Sequence, residues 1–408
     1  MTPAPALARP WLLVLLAAAG IFAVTMGARM SMGLFVGDIN SATGLGLASV
    51  SLAFAFGQLW WGLTQPLAGI VADRWGAGRV LVVGIVLVAL GTALIPLMRS
   101  TAGLVLAIGV LSAGGAGLAG PAVLMAATNR LVDASRRGLA TGVVNAGGSF
   151  GQFLFAPTLA AIGTAQGWMA AIYFTAAVSL LALPAAWVLR GAPPQTAAPG
   201  EAARLGTGAA IRQALADPSY RYLGIGFLVC GFHVAFLGTH LPGVIASCGL
   251  PPQVAGWAIA LIGLFNIVGS LAMGWAVGSG RWRLKSMLSL VYATRAVAVL
   301  LFVLAPKTTT VMLVFAAVMG VTFLSTVPPT ATLVARFFGP THMATLFGIV
   351  MLTHQLGGFL GAWMGGWAYA RSGHYDWVWY ADIVLAVGAA LVHLPIREPR
   401  PAAAVRPA

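Results

Sequence analysis

The stretch GIVADRWGAGRV, residues 69–80, separates two long apolar runs with a small group of charged residues. Gly69 permits the close approach of another helix. Asp73 is an anion suited to a helix N-terminus or to an arginine partner, and Gly76 permits a tight turn. The stretch therefore predicts a short turn at a membrane surface, joining two helices that cross the bilayer.

The composition also indicates a bilayer. Hydrophobic residues make up 60% of the 408 residues and charged residues only 7%, whereas soluble domains carry about 25% charged residues. A chain of this length can supply about a dozen helices of ~20 residues. The net charge of +14 is spread singly between apolar runs. Positive-inside topology explains it better than nucleic-acid binding, and we expect no nucleic-acid partner.

Twelve apolar runs predict twelve spans, numbered here in chain order. Six lie before residue 190 and six after residue 220, and the long connection between them is rich in Ala, Pro and Gly. We predict an N-terminal bundle over 1–189, a cytoplasmic linker over 190–220 with a short surface helix, a C-terminal bundle over 221–396 and a cytoplasmic tail over 397–408. Most of the 22 basic residues fall on the side of the termini and linker, which predicts that this side is cytoplasmic.

The two halves repeat one another. Residues of the same type recur about 205 or 206 positions apart. The matched pairs are Gly69 and Gly274, Gly114 and Gly320, Arg130 and Arg336, Gly142 and Gly348, and Gly151 and Gly357. A shared offset across several helices predicts a duplicated six-helix unit, an architecture found in one large class of transporters.

Residues 69–80 resemble the signature loop of the major facilitator superfamily, Gly-x-x-x-Asp-Arg-x-Gly-x-x-Arg. The resemblance implies an all-α membrane protein of twelve transmembrane helices in two pseudo-symmetric six-helix bundles. It further implies that Asp73 docks on the N-terminus of span 11, near Thr341, and holds one access state closed, with Arg130 as its candidate ion-pair partner. The second half has Gly278 where the aspartate would stand, so the latch is expected on one side only. The implied gating set is Gly69, Asp73, Arg74, Gly76, Arg79 and Arg130.

Ionisable groups inside a membrane are costly and mark candidate sites. Arg29 lies in span 1, which the resemblance places at the central cavity. Its guanidinium is a fixed, bidentate host for a carboxylate or phosphate, although a long side chain can also snorkel to the interface. No Asp or Glu falls near the middle of a cavity helix, so the buried positive charge favours an anionic substrate.

Other polar residues at similar depth are weaker candidates. Histidines can titrate near neutral pH and relay protons, but each can equally be satisfied by a neighbouring helix, and the amides can either bind substrate or join helices. With Arg29, the substrate-binding candidates are His233, His240, Gln152, Asn266 and His354; Gln58 and Gln355 lie at comparable depth. Arg295 in span 9 is expected to be structural. Asp382 is a candidate partner for it, but Asp382 is placed near the outer end of span 12, so the expected depths of the two residues in the membrane match poorly.

Nothing in the sequence predicts enzyme chemistry. It contains no phosphate-binding Gly-Lys-Ser/Thr loop, no metal-ligand spacing and no recognisable nucleophile triad, so we expect no catalytic residues, metal or cofactor. Cys230 and Cys248 would be ~27 Å apart on one helix, too far for a disulfide.

The stretches GARMSMGLFVGDI (27–39) and VSLAFAFGQLWWGLTQPLAG (50–69) are similar to the bacterial monocarboxylate and oxalate/formate porters, a looser resemblance that lacks the span 8 arginine of some of those porters. It implies a monomeric inner-membrane transporter that moves a small organic anion, driven by protons. Two alternatives stay open: proton-antiporting export of drugs or metabolites, although span 5 lacks the Gly-Pro pattern typical of that branch, and a transporter-like receptor.

Overall fold

The chain folds into helices whose bounds follow the predicted apolar runs. The computed structural model describes residues 10–132, 137–190, 207–338 and 343–398, leaving aside the side chains at 73, 74, 129, 130, 137–139, 207, 343 and 344.

In the first half, span 1 comprises α1 (Trp11–Ser31), a 3-10 turn (Met32–Phe35) and α2 (Val36–Thr43). The next helices are α3 (Leu47–Trp75), α4 (Ala77–Leu94), α5 (Thr101–Leu104), a π-helical stretch (Val105–Ser112), α6 (Ala113–Leu118), α7 (Pro121–Leu131), α8 (Arg137–Gln166), α9 (Trp168–Leu180) and α10 (Leu183–Val188). Spans 2, 3 and 5 are α3, α4 and α8; span 4 is α5 to α7, and span 6 is α9 with α10.

The linker helix α11 (Thr207–Ala216) precedes the second half. The remaining helices are α12 (Pro218–Ser247), α13 (Pro252–Gly278), α14 (Leu284–Leu304), α15 (Thr309–Thr322), α16 (Val327–Phe338), α17 (Met343–Ser372) and α18 (Asp376–Val392). They form spans 7 to 12 in order, with span 10 divided into α15 and α16. The predicted surface helix of the linker is α11.

Ten segments of the described residues are long and apolar enough to cross a membrane. These segments are Trp11–Thr43, Leu47–Ala72, Ala77–Leu97, Thr101–Thr128, Trp168–Val188, Pro218–Ser247, Pro252–Gly278, Leu284–Leu304, Thr309–Phe338 and Thr345–Ser372. The other two predicted spans correspond to α8, which is rich in glycine and carries Asn145 and Gln152, and to α18, which is 17 residues long. The chain is therefore a multi-pass membrane protein, and its division into twelve spans and two six-helix bundles stays a prediction.

Helix packing in one half recurs in the other. α1 packs along α8 as α12 packs along α17, and α4 packs on α9 as α14 packs on α18. The glycines at the shared offset have matching surroundings. A Cβ on Gly151 would collide with the backbone of Ala23 in α1, and one on Gly357 with the backbone of Leu228 in α12. These matches support the internal repeat inferred from sequence.

The two halves touch at the predicted periplasmic end. There α3 packs on α17 and α8 on α13. A Cβ on Gly366 would collide with Ser51, and one on Gly256 would lie 2.8 Å from the Cβ of Ala160. At the predicted cytoplasmic end, a Cβ would meet no atom within 4 Å on any of Gly69, Gly142, Gly274 and Gly348. The close helix approach predicted at Gly69 is therefore not formed at that position in this structure.

Span 10 is broken near its middle. α15 ends at Thr322, and α16 begins at Val327 after a short irregular stretch. The residues that follow, Pro328 and Pro329, have no amide hydrogen to donate to the preceding turn. The break exposes the last carbonyls of α15, which other side chains must satisfy inside a membrane.

We predict that two matched substitutions in α17 differ sharply in stability. Gly357→Ala places a methyl group against the backbone of α12, whereas Gly348→Ala points into open space. We expect Gly357→Ala to lower the free energy of unfolding by about 1–3 kcal/mol and Gly348→Ala to leave it unchanged or slightly higher. Thermal unfolding of the purified variants in detergent measures this, and equal midpoints for the two variants would contradict the packing described.

Candidate functional site

Arg29 lies half-buried near the end of α1 and is held by side chains of α3. Its Nη2 donates a hydrogen bond to Oε1 of Gln58, and its Cζ lies 4.5 Å from the centroid of the Trp61 ring. Its Nη1 lies 3.5 Å from the sulfur of Met30, a weak acceptor. The guanidinium is thus oriented by an amide and an indole and keeps one nitrogen without a strong acceptor.

A small cavity opens beside this guanidinium. Its volume is about 30 Å³, room for about two water molecules. Gln58 and Ser112 contribute polar groups to its wall, and Met32 and Phe54 contribute apolar ones. The cavity can therefore accept a group the size of a carboxylate, with apolar surface on one side.

Arg29 has no carboxylate partner within the described part of the chain. The ion pairs found there, at a limit of 4.0 Å, join His233 to Asp382, Arg336 to Glu398 and His374 to Asp376. A guanidinium in a membrane helix without a counter-ion is an electrostatic cost that an anionic ligand would offset.

A second charged cluster lies wholly inside the C-terminal half. Nε2 of His233 in α12 is 2.9 Å from Oδ1 of Asp382 in α18, and Nδ1 is 3.3 Å from Nη1 of Arg295 in α14. All three side chains are at most 1% exposed. Because arginine can only donate, Nδ1 of His233 accepts this bond, and Nε2 carries the hydrogen toward Asp382.

Arg295 also fastens the break in span 10. Its Nη2 donates to the carbonyl oxygens of Thr322 and Phe323, the latter at 2.8 Å. These carbonyls belong to the end of α15, where the helix leaves acceptors without an intrahelical donor. The expected structural role of Arg295 thus has a specific geometry. The expected depth mismatch with Asp382 was wrong, since the two contact the same imidazole.

The amide candidates join the two halves. Nε2 of Gln152 in α8 donates to the carbonyl of Ile259 in α13 at 3.1 Å. Nδ2 of Asn266 in α13 donates to Oγ of Ser149 in α8 at 2.9 Å, and its Oδ1 accepts from the amide of Leu324 at 3.1 Å. Their described contacts are therefore with helices rather than with the cavity beside Arg29.

The remaining histidine candidates are buried against α17. Nε2 of His240 lies 2.7 Å from the carbonyl of Ala362. Nδ1 of His354 lies 3.3 Å from Nε2 of Gln355, and its own Nε2 has no partner among the described residues. Arg29 and His233 each have a separate set of partners.

Two neighbours of Arg29 were not predicted as its partners. Gln58 was among the weaker polar candidates, and Trp61 was not a candidate. These two residues are three positions apart, so they share one face of α3, and that spacing is a signal in the sequence that would have paired them.

The gating residues are described only in part. Gly76 has φ of 89° between α3 and α4, a conformation that favours glycine, which confirms its predicted role in the turn. Arg79 is exposed in α4. The side chains of Asp73, Arg74 and Arg130, and the whole of Thr341, lie outside the described residues, so the predicted latch stays a prediction.

Comparison with known proteins agrees with the sequence motif. The model of the Major Facilitator Superfamily matches residues 17–251 and 223–408. The chain is 28% identical over 399 residues to Monocarboxylate transporter 11 of Mus musculus, covering 92% of this chain and 86% of that protein. It is 25% identical over 277 residues to the oxalate:formate antiporter of Oxalobacter formigenes, covering 68% and 65%.

The fold also matches a solved structure. A bacterial homolog of the human lysosomal transporter Spinster, in an inward-facing and occupied conformation, superposes with a TM-score of 0.74 at 17% identity, covering 93% of this chain and 95% of that one. At this identity the likeness concerns the fold alone.

We predict that the buried charge cluster stabilises the C-terminal half. Asp382→Leu removes the anion and leaves two buried groups without it, which is expected to cost about 3–5 kcal/mol of unfolding free energy. The matched control is Asp376→Asn, which breaks a His–Asp pair of 3.1 Å on the exposed surface, where such pairs contribute little. Thermal unfolding in detergent compares the two, and similar small shifts for both would show that the buried cluster is not a stabilising unit.

Proposed function

Because the chain belongs to the Major Facilitator Superfamily, we propose that it is a secondary transporter that carries a small monocarboxylate across the membrane, driven by protons. The observation that carries this proposal is Arg29, a cation in a membrane helix with no carboxylate within ion-pair distance among the described residues. The names of the relatives, monocarboxylate transporters and an oxalate:formate antiporter, agree in the chemistry of their substrates.

The geometry around Arg29 suits a carboxylate. A guanidinium presents parallel N–H donors that match the two oxygens of a carboxylate. Gln58 occupies Nη2, and the only acceptor near Nη1 within the described residues is methionine sulfur. A substrate oxygen is a far stronger acceptor than a thioether, so the incoming anion gains a charge-assisted bond without displacing a comparable one.

The number of available arginines favours a substrate with one carboxylate over a substrate with two. Arg29 and Arg295 are the two arginines near the middle of a described membrane span, whereas the other arginines of these spans lie near an end. The guanidinium of Arg295 contacts two carbonyls and His233. Arg295 is therefore engaged, and of the two Arg29 is the one available to the substrate. The cavity beside Arg29 has room for one carboxylate group, and Met32 and Phe54 in its wall offer apolar surface next to that group. A small carboxylic acid with an apolar tail satisfies both features.

We further propose that transport proceeds by rocking of the two halves around this site. The described halves are packed together at the predicted periplasmic end, while Gly69, Gly142, Gly274 and Gly348 toward the other end have no neighbour in contact, which suits a state that exchanges substrate with the cytoplasm. Asp73 with Arg130 would close the cytoplasmic gate in the opposite state. Gln152 and Asn266 hold α8 against α13, and we assign them to the periplasmic closure.

We also propose which membrane contains the protein and on which side its termini lie. The distribution of basic residues supports an inner membrane with both termini in the cytoplasm. Among the histidines, His240 and His354 each keep a buried ring nitrogen without a hydrogen-bond partner among the described residues, so these are the histidines we retain as candidate substrate contacts.

We predict that Arg29→Gln strongly lowers saturable uptake. Purified protein in liposomes would be offered labelled formate, acetate, pyruvate and lactate, with and without an inward proton gradient. Loss of a charged hydrogen-bond donor costs about 1.5–3 kcal/mol, so kcat/KM is expected to fall at least about tenfold. The matched control is Arg371→Gln, because Arg371 also stacks on a tryptophan, Trp367, at 4.8 Å but is exposed at the end of α17.

Two outcomes would overturn the proposal. Uptake with an unchanged kcat/KM in Arg29→Gln would show that the arginine does not bind the substrate. No uptake of any carboxylate by the unaltered protein, together with resistance of an overexpressing strain to cationic dyes, would establish export of drugs by proton antiport instead.

A further inference from the structure

We propose that the buried cluster of His233, Asp382 and Arg295 binds the coupling proton and transmits its arrival to the break in span 10. This proposal rests on the proton-driven transport proposed above and adds the site and the path. The cluster lies on α12, α14 and α18 and shares no contact with Arg29 among the described residues.

The carboxylate of Asp382 is an incompletely satisfied anion. It is fully buried, and its nearest donor is Nε2 of His233, 2.9 Å from Oδ1. Neither carboxylate oxygen receives an aligned hydrogen bond from the described residues. An ionised carboxylate can accept several hydrogen bonds, and burying it without them is costly. A positive charge on the adjacent imidazole would meet this need directly.

The neutral cluster has one arrangement of hydrogens. Arg295 is positive, Asp382 is negative, and His233 is neutral with its hydrogen on Nε2, so the net charge is zero. The acceptor side of the imidazole, Nδ1, faces the guanidinium at 3.3 Å. A proton that adds to Nδ1 makes an imidazolium and raises the net charge to one, while the contact between Nε2 and Asp382 stays intact.

That proton cannot coexist with the present contact to Arg295. The new N–H on Nδ1 would point at an N–H of the guanidinium, and two donors cannot share a hydrogen bond. Two positive groups would also lie 3.3 Å apart, where like charges repel. The imidazolium would therefore stay with Asp382, and Arg295 would move away from His233.

Movement of Arg295 reaches span 10 because the same guanidinium holds the end of α15. Its Nη2 binds the carbonyls of Thr322 and Phe323, next to the irregular stretch between α15 and α16. The amide of Leu324, one residue further, is held by Asn266, which also bonds Ser149 of the other half. A proton at His233 therefore changes the support of the helix break in span 10. Asn266 connects this break to the contact between the halves.

The polar groups around the cluster come from every helix packed on it. They add no further carboxylate within the described residues. The titratable neighbours are Cys230 on α12, Tyr292 and Arg295 on α14, Asp382 on α18 and His354 on α17. Tyr292 donates to the carbonyl of Gly226 at 2.6 Å, and the thiol of Cys230 lies 3.2 Å from Oγ1 of Thr326. Asp382 is therefore the one described carboxylate in contact with His233.

The direct test is the protonation state of His233 in the whole protein. The chain has six histidines, and nitrogen-15 labelling of histidine in lipid-reconstituted protein distinguishes neutral imidazole from imidazolium. Spectra would be recorded from about pH 8 to about pH 5, the range in which histidine changes charge. We expect the imidazole whose signal is missing in His233→Gln to be one that becomes charged, and its response to pH to differ in Asp382→Asn. An imidazole at His233 that stays neutral over this range, or that titrates identically in Asp382→Asn, would overturn the proposal. This measurement needs no substrate.

The transport test uses the liposomes described above with a pH-sensitive dye inside. His233→Gln and Asp382→Asn are each expected to lower proton entry accompanying a labelled monocarboxylate by more than tenfold. The control is His374→Gln, which alters a His–Asp pair of 3.1 Å on the surface and is expected to behave as the unaltered protein. Carboxylate transport with full proton entry in both cluster variants would refute the proton site and leave the transport function standing. Absence of carboxylate transport in the unaltered protein would refute the function, while the titration of His233 would still decide the proton site.

Discussion

A guanidinium inside a bilayer must find acceptors, and this requirement organises much of the protein. Water is absent from the hydrocarbon core, so a fixed positive charge there is stable only against carbonyls, carboxylates or aromatic faces. The chain meets the requirement twice in the described helices. Arg295 is surrounded by acceptors of the protein itself, whereas Arg29 has an amide, an indole and two thioethers. The first arginine is satisfied by the protein, and the second has capacity left for a ligand.

The two halves of the internal repeat share their helix packing but differ in their buried charges. Glycines at matching positions let α1 approach α8 and α12 approach α17, so both halves have the same helix framework. The polar residues do not follow the repeat. Span 1 carries an arginine near its middle and span 7 a histidine, and the aspartate that accompanies this histidine comes from span 12. Packing is therefore conserved between the halves, while the charges that give function are free to differ.

Much of this fold could be predicted from the sequence, because its signals are local. Apolar runs predict helices through the length of the bilayer, and Gly76 predicts a turn that the structure contains. Arg29 is conspicuous because charge is rare within such runs. The partners of His233 could not be predicted in the same way. Asp382 is 149 residues away, and sequence position gives the depth of a residue only to within a turn or two. It says nothing of how a helix tilts or which face it turns inward, and the contact among α12, α14 and α18 depends on both.

The separation of the two charged sites bears on how an anion and a proton can be moved together. If both bound at Arg29, a carboxylate and a proton would neutralise each other, and the protein would sense only a neutral acid. With the proton at His233, each ligand changes the charge of a different place. The anion removes the unpaired positive charge in the first half, and the proton adds a positive charge in the second. Gln58 and Gln355 lie on the two helices between these places, against Gly358 and Gly62 of the opposite half. The contact of α3 with α17 is therefore a physical link through which occupancy of one site can influence the other.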